Sequence, residues 1–369
     1  MKSVILLPYC PIPADHGGKS EMWKVLQILR GLGECTILSA RTRPVGMGWS
    51  PAAIAELEQQ GFRIHFREDE ESRRVRPLRA LGMLYAVACK ALGMEKAFGH
   101  SNPYHRFAFD PQWIARHTES ANLAVFVYSF WAGIPTRCPK VVCLLDVWSD
   151  FMWGGSAAET RDLKSAELVV VISQQEEERL RARGIRQTLW SPPFVEATQL
   201  PDSDRIGMVG SANAFNREGL RWFGDGIPES PIRVYGGLAA HATGAGFEVV
   251  GRYEEHLTPY RECGIVLMMT VEGMGVQIKT IEALAAGRVI VARRGAMRGI
   301  PPGRGAWIEV DTPAEMRAVA RRLQRDAQER AQQMKAARAY FDEHLRVDHL
   351  RAELEAALSS VAGQAVARS

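Results

Sequence analysis

The residues best suited to chemistry lie in one stretch, VEGMGVQIKTIEALAAGRVIVA, which runs from Val271 to Ala292. Gly273 and Gly275 permit a sharp turn and a close approach of a ligand to the backbone. A helix that begins near Val276 would direct its free N–H groups and the positive end of its dipole at this turn. The stretch therefore predicts a site for a phosphate group.

Two charged residues of the same stretch extend this prediction. Lys279 and Glu282 are three positions apart, so a helix would place them on one face. Lys279 would contact phosphate oxygens, and the Glu282 carboxylate would accept hydrogen bonds from a ribose diol. An exposed Lys–Glu pair on an amphipathic helix explains the same spacing, and the spacing alone does not separate the two interpretations.

Further candidates follow predicted strands in the first half of the chain. Asp15 and His16 precede Gly17 and Gly18 in the loop after the first strand, where a base would be well placed, although a solvated loop pair is an equal alternative. Asp146 ends the strand KVVCLLDV and would face a ligand, as would Asp150 shortly after it. Helix capping is the alternative for both aspartates.

Short apolar strands alternate with helix-period segments along the whole chain, a pattern typical of parallel sheets built from βαβ units. In the first half the strands are predicted at 3–8, 35–40, 62–66, 123–129, 140–147 and 168–173, with helices at 20–31, 51–60 and 174–183. In the second half strands are predicted at 205–211, 232–237, 247–252, 264–270, 289–293 and 306–310, with helices at 216–224, 276–286, 312–323 and 325–359.

The segment 182–204 contains a double proline and no sustained period, which predicts a linker. We expect an α/β protein of two tandem doubly wound Rossmann-like domains that face a shared cleft. The predicted divisions are an N-terminal domain at 1–190, a linker at 191–204, a second domain at 205–340, and a C-terminal helix at 341–369 that packs back on the first domain.

Composition excludes several classes of protein. The 369 residues carry a net charge of +4, well short of the basic character of a nucleic-acid-binding protein. Six scattered cysteines form no CxxC pair, and no His/Cys/Asp group has metal-ligand spacing, so we expect reduced thiols, no metal and no cofactor. The longest apolar stretch, 80–94, is shorter than the roughly 20 residues that span a bilayer. These features predict a cytoplasmic protein.

The segment 73–94, RRVRPLRALGMLYAVACKALGM, joins arginines to an apolar run. It would suit peripheral contact with an anionic membrane, such as the inner membrane face, and a lipid-linked acceptor. A buried helix pair with a solvated arginine rim explains the same composition.

The stretch 273–292 resembles the donor-site motif of GT-B glycosyltransferases, in particular the retaining family 4. Four other blocks match this group in the same order: 8–29, 165–180, 206–223 and 251–269. The resemblance implies transfer of a sugar from a nucleotide diphosphate-sugar to a hydroxyl acceptor during bacterial glycan synthesis, without a metal. A UDP-sugar epimerase of the same fold and a non-catalytic partner subunit are the alternatives.

The resemblance also implies roles for individual residues. Gly17 and Gly18 would lie against the donor pyrophosphate and the acceptor, and Arg252 and Tyr253 would lie at the base. The turn residues would offer backbone N–H groups to the sugar and diphosphate, with Lys279 on phosphate and Glu282 on the ribose; this turn is made of Gly273, Met274, Gly275 and Val276.

The sequence departs from the family pattern at several positions. Met274 stands where many relatives carry a second glutamate, and Leu145 stands before Asp146 where a histidine is common. The arginine that usually accompanies the phosphate-binding lysine has only a loose candidate in Arg217. These departures concern the catalytic detail and the identity of the sugar.

Overall fold

The computed structural model describes residues 1–14, 17–42, 47–70, 77, 80–82, 84–85, 88, 108–147 and 156–368. The chain divides into two compact units, one of residues 1–193 with 351–369 and one of residues 194–350. Three of the predicted features lie outside the described residues: the pair Asp15 and His16, Asp150, and the arginines of the segment 73–79.

The first unit is built on a seven-stranded parallel sheet with the order β3-β2-β1-β4-β5-β6-β7. The strands are β1 (Lys2–Leu6), β2 (Glu34–Ser39), β3 (Arg63–Phe66), β4 (Leu123–Val127), β5 (Lys140–Leu144), β6 (Leu168–Val171) and β7 (Thr188–Trp190). Ile5 of β1 is paired with Ile37 on one side and with Val125 on the other. The strand order reverses between β1 and β4, and ligands of such sheets bind beyond the carboxyl ends at this switch point.

Helices connect these strands. They are α1 (Gly17–Leu32), α2 (Pro51–Gln59), α3 (Arg67–Glu70), α4 (Pro111–Thr118), α5 (Ser156–Leu163) and α6 (Gln174–Ala182). Asp110 caps α4, because its side chain accepts a hydrogen bond from the Gln112 N–H at 3.0 Å and Pro111 occupies the first helical position. The face of α1 that the apolar spacing predicted is buried, with Met22 and Leu29 at 0% exposure.

The second unit contains a six-stranded parallel sheet with the order β10-β9-β8-β11-β12-β13. The strands are β8 (Ile206–Val209), β9 (Ile232–Tyr235), β10 (Phe247–Gly251), β11 (Ile265–Met268), β12 (Val289–Arg293) and β13 (Ile308–Val310). Here the order reverses between β8 and β11, which places the switch point of this sheet at their carboxyl ends. Both sheets are all parallel, as the βαβ pattern predicted.

The helices of the second unit are α7 (Ala214–Phe223), α8 (Thr258–Glu262), α9 (Ile278–Ala285), α10 (Pro313–Arg325) and α11 (Ala327–His344). The last helix, α12 (Val347–Arg368), begins in the second unit and belongs to the first unit from Arg351 onward. Buried strand residues such as Val234 and Ile265 form one apolar cluster with Leu323 of α10. A capping box fixes the start of α10, since Thr312 and Glu315 each bond the other's backbone N–H.

Two predicted boundaries are wrong. The segment 182–204 is not entirely a linker, because Thr188–Trp190 form β7, a strand too short to show a period, which pairs with β6. The single helix predicted at 325–359 is two helices, because α11 ends at His344 and Leu345 has a non-helical ψ of 8° at φ −125°.

Within the described part of the chain, no helix has both the length and the apolar character needed to cross a membrane. The segment 73–94 lies largely outside the described residues. Among its described residues, the large apolar side chains of Leu81, Leu84 and Tyr85 are exposed.

Candidate functional site

The predicted glycine turn lies directly beyond the carboxyl end of β11, at the switch point of the second sheet. Gly273 has a φ of 115° and Gly275 a φ of 61°, both in the region that favours glycine. A Cβ atom on Gly273 would lie 2.8 Å from Nη2 of Arg298 and 3.5 Å from a ring carbon of Phe215. The missing side chain therefore lets the Arg298 guanidinium approach the turn.

Two further residues complete the turn before α9 begins at Ile278. Met274 is partly buried, and Val276 is buried with 8% exposure. Gln277 closes the turn by donating from Nε2 to the carbonyl oxygens of Thr270 and Ala296, both at 2.8 Å. The turn that the sequence predicted to receive a ligand is thus held in place by the Gln277 side chain.

Lys279 extends from the first turn of α9 across the switch point. Its Nζ donates to the carbonyl oxygen of Val209 at 3.2 Å and to Oδ1 of Asn216 at 3.0 Å. Oγ1 of Thr270, just after β11, lies 3.5 Å away. Because Val209 ends β8, the ammonium group joins the two strands between which the order reverses.

Burial and the positive charge of Arg298 together lower the pKa of Lys279 to about 8, against a smaller opposing effect of the Glu282 charge. Arg298 is anchored by a 2.9 Å bond from Nη1 to the Thr270 carbonyl. Two partly buried cations beside one glycine turn repel each other, and a bound anion would stabilise both. The site therefore has the electrostatic character of an anion site.

Sequence reasoning missed Arg298. It lies in the loop after β12, in the run RRGAMRG, where its neighbours Arg293 and Arg294 are engaged with Glu218 and Asp311. The loose candidate Arg217 is instead exposed on α7. The run of arginines was a visible signal, but only the tertiary structure distinguishes the one that reaches the turn.

Glu282 lies one turn along α9 from Lys279 and is oriented by a tyrosine. Tyr260 is fully buried, and its hydroxyl donates to Oε2 of Glu282 at 2.7 Å. Burial raises the pKa of Glu282, whereas the hydrogen bond from Tyr260 and the charges of His256 and Lys279 lower it. Lys279 and Glu282 are therefore not an exposed surface pair, and Tyr260 is a second residue that sequence reasoning did not assign.

The two residues predicted to lie at the base follow β10 directly. Arg252 is exposed. The Tyr253 ring meets the Tyr235 ring edge to face, with centroids 6.0 Å apart. Burial raises the pKa of Tyr253, and the negative charge of Glu282 contributes to the rise. The structure thus brings Tyr253 near the carboxylate predicted to hold the ribose.

The switch point of the first sheet carries different groups. The hydroxyls of Tyr9, after β1, and Tyr128, after β4, lie 3.1 Å apart. Tyr128 has a φ of 71°, an unfavourable backbone conformation for a residue with a side chain, of a kind that clusters at functional sites. Burial raises the pKa of Asp146, beyond β5, to about 6, and its charge acts on both tyrosines.

The predicted glycine loop of the first unit is partly described. Gly17 and Gly18 form the first turn of α1, directly after the loop from β1. In the same turn, the Ser20 hydroxyl donates to the Ala14 carbonyl oxygen at 3.4 Å. These glycines therefore stand at the start of a helix, and their contact with a pyrophosphate stays a prediction.

Known proteins resemble this chain in part of its sequence and in its fold. Residues 217–356 match a family model described as glycosyl transferase-like. No curated protein sequence matches the chain significantly. The crystal structure of HepE from Anabaena in complex with UDP is similar over 98% of this chain and 100% of that chain, with a TM-score of 0.67 and 13% identity. The chain has the GT-B fold.

Two other solved structures share this GT-B architecture. Sucrose-phosphate synthase from Thermosynechococcus elongatus covers 100% of both chains at a TM-score of 0.60 and 15% identity. The apo form of the lipopolysaccharide outer core galactosyltransferase WaaB covers 98% of this chain and 99% of that chain at a TM-score of 0.59 and 12% identity. The matched range 217–356 contains Lys279, Glu282 and Arg298, and it agrees with the predicted enzyme class, a glycosyltransferase.

Proposed function

We propose that the protein is a glycosyltransferase that moves a sugar from a nucleotide diphosphate-sugar to a hydroxyl acceptor. The observation that carries this proposal is the convergence of Lys279 and Arg298 on the Gly273 turn. As the bond between the sugar and the β-phosphate breaks, negative charge collects on the departing diphosphate. Cations and backbone N–H groups already held in place stabilise that charge without reorganisation.

The remaining residues of the turn and α9 would bind the rest of the donor. Backbone N–H groups between Gly273 and Val276 would contact the sugar and diphosphate, and the Glu282 carboxylate would accept from the ribose hydroxyls. Arg252 and Tyr253 would flank the base. HepE was crystallised with UDP and with UDP-glucose, which makes uridine nucleotides the first donors to test.

The positive charge of Lys279 and Arg298 supports catalysis without a metal ion in the donor site. We propose that the enzyme retains the anomeric configuration, as in the family 4 transferases that its motifs resemble. The proton of the acceptor hydroxyl then passes to the departing diphosphate while the new C1–O bond forms. Asp146, with Tyr9 and Tyr128, would orient that hydroxyl, and Gly17 and Gly18 would face the diphosphate.

We further propose a cytoplasmic role in bacterial glycan synthesis, with a lipid-linked glycan as the acceptor and peripheral contact with the inner membrane. The motif blocks support this role, and WaaB is a galactosyltransferase of the lipopolysaccharide outer core. Flotation with anionic and neutral liposomes at low salt tests the membrane contact. If the protein stays in the soluble fraction with both, a soluble small-molecule acceptor replaces the lipid-linked one.

A donor screen with mass detection tests the activity directly, with Lys279→Ala and Glu282→Ala measured in parallel by calorimetry against UDP and GDP. We expect transfer from one nucleotide-sugar and weaker nucleotide binding in both variants. Formation of an epimer from the donor alone would identify an epimerase instead. Nucleotide binding without turnover on any acceptor would identify a non-catalytic subunit, and loss of nucleotide binding in EDTA would refute the metal-free donor site.

A further inference from the structure

Three side chains that the proposed transfer does not use meet beside β3, at the edge of the first sheet. His65 lies on β3, Glu70 ends α3, and His117 lies in the last turn of α4. His65 Nδ1 is 2.6 Å from Oε1 of Glu70, and His117 Nε2 is 2.8 Å from Oε2. The three potential ligand atoms all lie within 4.8 Å of one another.

A buried residue holds this group in place. The Nε1–H of Trp113, which is 1% exposed, donates to Oε2 of Glu70 at 2.9 Å. The Trp113 ring also meets the His117 ring edge to face at 5.0 Å, and the two imidazole centroids are 4.6 Å apart. Residues that orient ligating side chains in this way are a regular feature of metal sites.

We propose that His65, Glu70 and His117 form a binding site for a zinc-like divalent transition-metal ion. Two imidazole nitrogens and one carboxylate are a known ligand set for zinc, with an open position for water. Imidazole nitrogen favours zinc and its neighbours over magnesium or calcium, which prefer all-oxygen sites. Tetrahedral ligands at about 2.0–2.1 Å from zinc are roughly 3.4 Å apart, so rotamer adjustments of about 1 Å would close the site.

The hydrogens on the two imidazoles beside Glu70 can be displaced when a metal ion binds. Glu70 accepts from both imidazoles, so each nitrogen that would coordinate the ion carries a hydrogen. On binding, a neutral imidazole carries its hydrogen on the other ring nitrogen, and a protonated one releases a proton to solvent. Glu70 would ligate through Oε1 and keep the hydrogen bond from Trp113 at Oε2.

The ion would lie between two parts of the chain that are distant in sequence. Glu70 and His117 come from either side of the sequence segment 71–107, so one ion would join the two ends of this segment. In the strand order, β3 is two positions from β1, which is about 10 Å across the sheet. The proposal does not depend on the transferase assignment, because Lys279 and Arg298 belong to the other unit.

Calorimetric titration of the EDTA-treated, dialysed protein with ZnCl2 tests the site. We expect one equivalent to bind, and affinity to fall at least about tenfold in Glu70→Gln and in His117→Gln. The matched control is His349→Gln, which removes an exposed histidine of the second unit and should bind zinc as the unsubstituted protein does. Zinc, but not MgCl2, should raise the melting temperature of the unsubstituted protein.

Co2+ titration of the unsubstituted protein keeps the proposal falsifiable if a variant folds poorly. A tetrahedral Co2+ spectrum that zinc abolishes, without a thiolate charge-transfer band, is the expected result. The proposal is overturned if zinc does not bind stoichiometrically, or if Glu70→Gln and His117→Gln bind it as tightly as the unsubstituted protein. A thiolate band would assign the ion to a cysteine such as Cys138 and equally refute the site.

Discussion

The switch points of the two sheets have the same topology and different chemistry. In the second unit, Lys279 and Arg298 bring positive charge to the end of β11, and Glu282 lies beside them. In the first unit, the corresponding strand ends carry the hydroxyls of Tyr9 and Tyr128 and the carboxyl of Asp146. One edge is suited to an anion and the other to a neutral hydroxyl group.

The backbone is used differently as well. In the second unit the residues with positive φ at the switch point are glycines, which adopt this conformation without strain. In the first unit it is Tyr128, for which such a conformation costs on the order of 1–3 kcal/mol. The glycine turn of the second unit is therefore free of backbone strain, whereas the switch point of the first sheet holds a tyrosine at some energetic cost.

Removing the positive charge of Lys279 should have the largest effect on the difference between the two switch points. In Lys279→Ala we expect kcat/KM to fall about 100- to 1,000-fold, as when one preorganised donor to a developing charge is lost. Steady-state kinetics with the identified donor measures this, with Lys335→Ala, an exposed lysine on α11, as the control. An equal loss in the control would show that overall charge, rather than this position, matters.

At the switch point of the first sheet, a substitution should lower turnover without changing nucleotide affinity. In Asp146→Asn we expect turnover to fall about 10- to 100-fold, because a misplaced acceptor reacts slowly. UDP affinity by calorimetry should stay unchanged, since the donor groups lie in the other unit. If UDP affinity fell as much as turnover, the proposed division between donor and acceptor sides would be wrong.

Substitutions of Arg298 test whether the proposed nucleotide site beside the Gly273 turn needs two cations. In Arg298→Ala we expect UDP to bind about 10- to 100-fold more weakly, since hydrogen bonds to charged groups contribute about 1.5–3 kcal/mol. Arg298→Lys keeps the charge and should recover part of the affinity. Exposed Arg217→Ala should bind UDP as the unsubstituted protein does, and a loss there alone would move the second cation to α7.

The smallest expected effect concerns stability and pH. Burial raises the pKa of Asp146 from its ordinary 3.8 to about 6, so its partly buried charge destabilises the fold increasingly above about pH 4 and fully above about pH 6. Asp146→Asn should therefore raise the free energy of unfolding by about 1–3 kcal/mol near neutral pH, and this gain should vanish below about pH 4. Denaturant unfolding across this range measures it, and a gain independent of pH would contradict the buried charge.

Local sequence patterns predicted much of the fold. The alternation of strands and helices predicted both parallel sheets, and the spacing of Gly273, Gly275, Lys279 and Glu282 predicted the turn and the helix that follows. These features depend on neighbouring residues, so a single stretch contains them. The short strand β7 and the break between α11 and α12 were missed because three residues show no period and the helical composition continues through the break.

Contacts between distant residues could not be predicted in this way. Tyr9 and Tyr128 are 119 positions apart, and His117 and Glu70 are 47 apart, so no spacing rule joins them. Arg298 resembles its neighbouring arginines until the loop after β12 packs on Gly273. By itself, the sequence determined the fold class and the position of the glycine turn before α9, because period and turn chemistry are local. Only the tertiary structure decided which arginine reaches that turn, which tyrosines meet at the end of β1 and which histidines meet beside β3, because the order of the strands brings residues that are remote in sequence together.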